Sequence, residues 1–249
     1  MVAVLLAGVA AGAINAVVGS GTLVTFPVLL AVGYPPVLAN VSNTVGLTPG
    51  SVSAVVGYRA ELEGQGRRLW YLGTASVLGG VTGAVLLLVL PPEAFRAIVP
   101  VLIAAALVLV VLQPRLAARL RATTEPQVPG SDRGGPALLA GVYGAGVYGG
   151  YFGAAQGVLL IGLLGAFLHE PLQRVNAAKN VLAVLVNGTA ALAFVVVADV
   201  AWTAAGLVAV GSVVGGQLGA TVGRRLPDPV LRAVVVVVGV LAIVKIITG

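Results

Sequence analysis

The hydrophobic residues of this chain fall into long continuous runs, and the polar residues gather between them. The runs cover residues 2–18, 22–33, 37–58, 69–90, 94–112, 136–152, 155–168, 172–197, 201–223 and 229–248. Most of them have about 20 residues, the length that an α-helix needs to cross the hydrocarbon core of a bilayer. The pattern therefore predicts an all-α polytopic membrane protein.

The run 22–33 is too short to cross a bilayer by itself, and a break precedes it. The sequence at the break reads Gly19-Ser20-Gly21-Thr22. The two glycines permit a reversal of the chain, and Ser20 or Thr22 can cap the helix that follows. Two short helices meeting at a tip would place free N–H groups and a positive helix end inside the membrane, where an anion can bind. The alternative is one plain helix with a glycine-rich packing face.

Composition supports the membrane assignment and limits the chemistry. The chain has 249 residues, of which 59% are hydrophobic and 9% charged, and its mean hydropathy is +1.07. Soluble proteins carry roughly 25% charged residues. The first residues lack the basic region of a signal peptide and are expected to form a retained helix. The absence of cysteine excludes disulfides, thiolate metal sites and cysteine nucleophiles.

The second half of the chain repeats the first. Many residues recur at an offset of 136 positions. The matching pairs include Asn40 with Asn176, Gly79-Gly80 with Gly215-Gly216, Gly83 with Gly219, Leu90-Pro91 with Leu226-Pro227, and Arg96 with Arg232. Shared composition explains a few glycine matches, but not an asparagine, an arginine and a Leu-Pro pair in one register. We therefore expect a repeat 1 over 1–112, a cytoplasmic linker over 113–135 and a repeat 2 over 136–249.

The basic residues indicate how the repeats are oriented. If 2–33 forms a hairpin that enters and leaves the membrane on the same side, four later loops lie together on the opposite side of the membrane. These four loops hold most of the arginines. Those loops are 59–68, 113–135, 169–174 and 224–228. The positive-inside rule then places the loops in the cytoplasm and both termini outside it. The arginines thus report orientation, and no nucleic-acid partner is expected.

This arrangement predicts two inverted repeats, an architecture found in many secondary transporters. Each repeat is a broken-helix hairpin followed by three transmembrane helices. In repeat 1 the hairpin is 2–33 and the helices are 37–58, 69–90 and 94–112. In repeat 2 the hairpin is 136–168 and the helices are 172–197, 201–223 and 229–248.

The acidic residues indicate the charge of the substrate. All 8 of them lie in or beside loops. Carriers of protons or sodium ions usually bury a carboxylate within the membrane, because something must bind the cation. The pattern therefore argues against a cation as substrate and favours an anion.

One helix of each repeat carries a polar face. Asn176, Lys179 and Asn180 have the i, i+3, i+4 spacing that places them side by side on a helix. The equivalent positions of repeat 1 hold Asn40, Asn43 and Thr44. We expect the two faces to meet near the pseudo-two-fold axis, with the Lys179 ammonium between them. The alternative is that Lys179 extends to the membrane surface, because a buried ammonium costs at least about 2.5 kcal/mol.

The predicted substrate site combines these faces with the two hairpin tips. It consists of Asn15, Ser20, Gly21, Thr22, Asn40, Asn43, Thr44, Gln156, Asn176, Lys179 and Asn180. No nucleophile with a base and no metal-binding cluster is apparent, so we expect no catalytic site, metal or cofactor. A ridge of glycines at four-residue spacing, Gly211, Gly215, Gly219 and Gly223, predicts close helix packing.

These features resemble the sulfite exporter TauE/SafE family of membrane permeases. The resemblance covers nearly the whole chain. It lies in the broken segment 12–27, the stretch 29–36, the polar start 40–44, the motif 176–180 and the closing stretches 215–220 and 226–227. It implies a multi-pass permease of the plasma or inner membrane.

The resemblance also implies a function. Members of the TauE/SafE family are associated with the export of small sulfur-containing anions such as sulfite and organosulfonates, sulfoacetate among them. Ser20 and Thr22 stand among the glycines of the first tip, which leaves open a carboxylate or another oxyanion. A membrane assembly protein without transport is the alternative from a different class. Expected partners are a small anion, the lipid bilayer and a second copy of the chain in a homodimer.

Overall fold

Helices make up nearly all of the described part of the computed structural model, which covers residues 1–123, 135–168, 170–222 and 237. The helices are α1 Val2–Val17, α2 Thr22–Ala31, α3 Pro36–Gly57, α4 Gly66–Val89, α5 Pro92–Thr123, α6 Gly135–Tyr151, α7 Gln156–Phe167, α8 Leu172–Val197 and α9 Trp202–Thr221. A short 3-10 helix, Arg59–Leu62, joins α3 to α4. The predicted all-α fold is confirmed. The predicted helix 229–248 lies outside the described residues, except for Val237, which is helical.

The hydrophobic runs locate these helices well. Pro36 stands at the start of α3 and Pro171 immediately before α8, positions where the missing N–H of proline costs no helical hydrogen bond. The main difference concerns α5, which continues past the end of its apolar run at 112 to Thr123. The first part of the predicted linker 113–135 is therefore helical.

Four helices of the described region are long and apolar enough to cross a membrane: α4, the part of α5 over 92–112, α8 and α9. The helices α1, α2 and α7 are apolar but shorter. The helix α3 has 22 residues and carries the polar face predicted for repeat 1. The chain is thus a multi-pass membrane protein.

Both predicted hairpins break where the glycines stand. The chain between α1 and α2 turns at Gly19, whose φ of 82° is left-handed, and the turn between α6 and α7 uses Gly153 at 77° and Ala155 at 58°. The interpretation of 2–33 as one plain helix is therefore wrong. The expected cap of α2 is also wrong. Its N-cap residue is Gly21, and no side chain bonds there, because the Thr22 hydroxyl instead accepts a hydrogen bond from Asn43.

The two halves of the chain exchange their hairpins. The first hairpin helix, α1, packs along α9 of the second half, and α6 packs along α4 of the first half. The contacts are made by glycines. A Cβ on Gly211 would lie 2.8 Å from the backbone nitrogen of Val9, and one on Gly79 would lie 2.9 Å from the Cα of Gly146. The close packing predicted for the glycine ridge is confirmed for the described residues, which exclude Gly223.

A network of charged groups joins the halves at the end of the molecule where α4 and α8 begin. Glu170 accepts hydrogen bonds from Arg68 at 3.0 Å and from Arg174 at 2.7 Å. The amide of Gln65, which is buried, donates to the backbone oxygen of Arg174 at 3.2 Å. Burial alone would raise the pKa of Glu170, but the hydrogen bonds and charges of the two arginines outweigh it and lower that pKa.

Candidate substrate site

The tips of the two hairpins touch each other inside the bundle. The backbone N–H of Gly157, at the start of α7, donates a hydrogen bond of 3.0 Å to the carbonyl oxygen of Gly19. A Cβ on either glycine would collide with the backbone of the other. The contact therefore depends on the lack of a side chain at both positions, and it brings backbone from opposite halves of the chain together.

Lys179 lies directly behind this contact. The side chain is 1% exposed, and its ammonium donates hydrogen bonds to the carbonyl oxygens of Asn15 at 2.9 Å and Ala16 at 3.3 Å. Those carbonyls belong to the last turn of α1, where they lack helical partners and carry the negative end of the helix dipole. Among the described residues no carboxylate pairs with Lys179. In this conformation the lysine does not extend to the membrane surface.

The rest of the repeat 2 polar face binds the same turn of α1. The side-chain amides of Asn176 and Asn180 donate to the carbonyl oxygen of Ala16 at 3.1 and 3.2 Å. The stem of Lys179 also approaches the second tip, since a Cβ on Gly157 would lie 2.9 Å from its Cδ. This face thus holds the end of the first broken helix and touches both tips.

The polar face predicted for repeat 1 binds the end of α6, in the second hairpin, in a similar way. The amide of Asn40 donates to the carbonyl oxygen of Tyr151, the last residue of α6, at 3.0 Å. Asn43 instead turns to α2, where it donates to Thr22 at 3.2 Å and accepts from the Thr25 hydroxyl. Asn40 and Asn176, which lie 136 positions apart in the sequence, therefore each bind the end of a broken helix in the opposite half.

A small cavity, here called the central cavity, lies between the tips and the polar helices. Its volume is about 10 Å³, which is room for about one water molecule. Four predicted site residues line it, namely Asn15, Thr22, Thr44 and Gln156. Other predicted residues, Asn40, Asn43, Asn176, Lys179 and Asn180, stand behind the lining and hold the helix ends. Ser20 and Gly21 are buried at the first tip and do not line the cavity.

Two buried donors at the tips have no hydrogen-bond partner among the described residues. They are the side-chain nitrogen of Gln156 and the hydroxyl of Ser20, which are 3% and 0% exposed. Leaving such a group unpaired costs about 1–3 kcal/mol. Gln156 also lines the central cavity and begins α7, so an unpaired donor and a positive helix end meet at one point.

Asn187 and Phe152 also line the central cavity and were not predicted. Asn187 lies seven residues after Asn180, which is about two helical turns, so it continues the same face of α8. Its equivalent in repeat 1 is Ser51, which accepts a hydrogen bond of 3.2 Å from Asn15. Extending the register of the predicted repeat further along the polar faces would have identified Asn187 and Ser51.

A multi-pass helical bundle in which two broken helices meet at a buried polar cavity has the features of a membrane carrier. The comparison with protein families defines the class more closely. The model of the family described as Sulfite exporter TauE/SafE matches residues 4–246. The chain therefore belongs to the TauE/SafE family.

Curated relatives agree with this assignment. The chain is 24% identical to a "Probable membrane transporter protein" of Haemophilus influenzae, over 96% of this chain and 91% of the relative. It is 26% identical to "Probable membrane transporter protein YfcA" of Escherichia coli strain K12, over 95% of this chain and 86% of the relative. The comparison with solved structures gave no match.

Proposed function

We propose that this protein carries a small sulfur-containing anion, such as sulfite or an organosulfonate, across the membrane and acts as an exporter without catalysing a reaction. The observation that carries the proposal is the meeting of two helix breaks at a buried polar cavity, with Gly157 bonded to Gly19 at 3.0 Å. The family name and the names of the relatives support transport.

The helix ends around the central cavity favour an anion. The N-termini of α2 and α7 lie at the cavity through Thr22 and Gln156. Each N-terminus carries an effective charge of roughly +0.5. The opposite ends of α1 and α6 would repel an anion, but Lys179 and Asn40 already bind their carbonyls. Donors thus occupy carbonyls at the ends of α1 and α6, and the positive ends of α2 and α7 lie at the cavity.

Lys179 supplies a whole positive charge beside the site, in addition to the partial charges of the helix ends. Its ammonium is held by uncharged carbonyl groups, so its charge is not cancelled by a carboxylate of the described region. In a medium of low dielectric constant an uncancelled charge acts strongly over a few ångströms. An anion at the tips would relieve both this charge and the unpaired donor of Gln156.

The size of the central cavity indicates that transport requires movement of the tips. A volume of about 10 Å³ cannot hold a sulfite ion together with its contacts, so this conformation is closed around the site. The tips and the hairpin helices touch through glycine backbone, a contact that permits sliding with little steric resistance. Inverted repeats that exchange hairpins suit alternating access, in which one half rocks against the other.

A direct test measures both binding and transport. Purified protein is titrated with sulfite, sulfoacetate, acetate and phosphate, and the same anions are followed across proteoliposomes. We expect sulfite or sulfoacetate to bind and to be transported more effectively than acetate or phosphate. Preference for acetate or phosphate would contradict the substrate class and leave an anion carrier. Binding and transport of none of the four would contradict the proposed function.

A further inference from the structure

A second and larger cavity opens at the end of the molecule where α3 and α5 begin. Its volume is about 470 Å³, within the range of cavities that hold small organic ligands. Its walls are mainly proline and aliphatic side chains, and three charged residues face it: Glu93, Arg96 and Asp199. We refer to it as the Arg96 pocket.

Arg96 is the basic residue of this pocket. Within the described part of the chain it forms no ion pair shorter than 4.0 Å, although Glu93 and Asp199 line the same space. A guanidinium offers five N–H donors in a planar arrangement that matches an oxyanion. The two carboxylates weaken the attraction for an anion, so the pocket suits weak and reversible binding.

The Arg96 pocket and the central cavity share helix α3 as part of their walls. Val41 of α3 lines the pocket, and Thr44, three residues later on the same helix, lines the central cavity. Three residues of α-helix span about 4.5 Å. The two cavities are therefore neighbours along α3.

Aromatic side chains from α2, α5 and the end of α6 pack together beside the central cavity. Phe152 lines the central cavity and packs edge to face on Phe26 and Phe95, with ring centroids 5.2 and 6.0 Å apart. Phe95 directly precedes Arg96, is 1% exposed and also contacts the ring of Tyr151 at 5.7 Å. The Tyr151 hydroxyl is buried without a partner in the described region. This aromatic cluster, Phe26, Phe95, Tyr151 and Phe152, thus reaches from the wall of the central cavity to the residue that precedes Arg96.

Leu38, which lines the Arg96 pocket, corresponds at the offset of 136 residues to Arg174, and Glu170 holds Arg174 at 2.7 Å. Arg174 is therefore engaged in an ion pair, whereas Arg96 forms none within the described part of the chain.

We propose that the Arg96 pocket is a second binding station for the transported anion and that the aromatic cluster is the gate between this station and the central cavity. The proposal rests on the proposed function and deepens it. The ligand class is sulfite or a small sulfonate whose oxygens bind the Arg96 guanidinium. A binding station on a transport path must bind the ion strongly enough to admit it and weakly enough to release it. The negative charges of Glu93 and Asp199 lower the affinity of the pocket for an anion and so permit its release.

The station is tested by protection of a cysteine, because the natural chain contains none. In purified Leu38→Cys protein, sulfoacetate is expected to slow modification by a charged thiol reagent. When Arg96→Gln is added to this protein, the sulfoacetate concentration for half protection should rise about tenfold, since a charged hydrogen bond is lost. When Glu93→Gln or Asp199→Asn is added instead, the sulfoacetate concentration for half protection should fall. A cysteine at Val32, exposed outside the pocket, is the control and should not be protected.

The gate is tested by a second cysteine, at Leu47, which lines the central cavity and is 4% exposed. Phe95→Ala, or the milder Phe95→Leu, should speed its modification without any anion present.

Equal protection of the Leu38→Cys protein with and without the Arg96→Gln substitution would overturn the station, even if sulfoacetate is transported. Unchanged modification of the cysteine at Leu47 in both Phe95 variants would overturn the gate. If the wild-type protein binds and transports none of sulfite, sulfoacetate, acetate and phosphate, the proposed function fails, whereas the gate result still stands because it needs no anion.

Discussion

Lys179 shows how a single buried charge is accommodated in a membrane bundle. Its ammonium binds the last carbonyls of α1, which need donors because the helix ends inside the protein. The lysine is therefore both a part of the fold and the source of positive charge at the site. These two roles separate when the side chain is changed.

Replacing Lys179 tests both roles. Lys179→Ala should abolish transport and should lower stability by about 1–3 kcal/mol, because the Asn15 carbonyl loses its donor. Lys179→Arg should retain part of the transport. Transport is measured in proteoliposomes and stability by thermal unfolding in detergent.

The matched control is Asn180→Ala. Asn180 also donates to the end of α1, through the Ala16 carbonyl, but it carries no charge. It should lower stability while leaving much of the transport. Full transport in Lys179→Ala would assign the lysine a structural role alone.

The helices pack through surfaces that only glycine permits. A Cβ on Gly215 would collide with the backbone of Val9 in α1, whereas one on Gly206, in the same helix α9, would meet nothing within 4 Å. The two positions therefore give a matched pair of substitutions within one helix.

We expect Gly215→Ala to destabilise the protein by about 1–3 kcal/mol, the usual cost of overpacking, and to impair transport. Gly206→Ala should be neutral or stabilise by up to about 1 kcal/mol, because alanine is the better helix former. Thermal unfolding of the two variants in the same detergent makes the comparison. Equal stabilities would mean that α1 and α9 do not approach as closely as the contact between Gly215 and Val9 requires.

The ion pairs of Glu170 give a prediction with a definite pH dependence. The pKa of Glu170 is lowered in the folded protein, so its contribution to stability is present above the ordinary carboxyl pKa and is lost as the pH falls through the lowered pKa. Because the groups are partly exposed, the contribution is about 0.5–1 kcal/mol. Melting temperatures of wild type and Glu170→Gln should differ at neutral pH and converge in acid. A gap that persists in acid would point to packing instead.

The elements of the fold could be predicted because each has a local cause. Continuous apolar runs give the helices, and Gly19 and Gly153 mark the breaks by their left-handed conformation. Contacts between distant helices have no local cause. That Lys179 would bind carbonyls of α1 depends on the placement of a helix end more than 160 residues away in the sequence. The cap expected from Ser20 or Thr22 was wrong for the same reason, since Asn43 of another helix engages the Thr22 hydroxyl.

At the scale of the whole molecule, the orientation of the chain in the membrane is open to a direct test. The proposed inverted repeats place both termini outside the cytoplasm. Single cysteines at Ala3 and Pro35 should both react with an impermeant reagent added outside cells, and one at Arg67 should react only from inside. All three positions are exposed. Opposite labelling of Ala3 and Pro35 would replace the inverted arrangement with a parallel one.

The exchange of hairpins between the halves has a consequence for how the protein is made. The residues of α1 are synthesised long before those of their main packing partner α9, which begins only at Trp202. Contacts so distant in sequence form late, and chains that depend on them expose unpaired surface in the meantime. The newly inserted α1 must therefore wait, with its glycine-rich side against lipid or an insertion factor, until most of the chain has left the ribosome. A chain halted before α9 would leave α1 without its main packing partner and become a substrate for quality-control proteases.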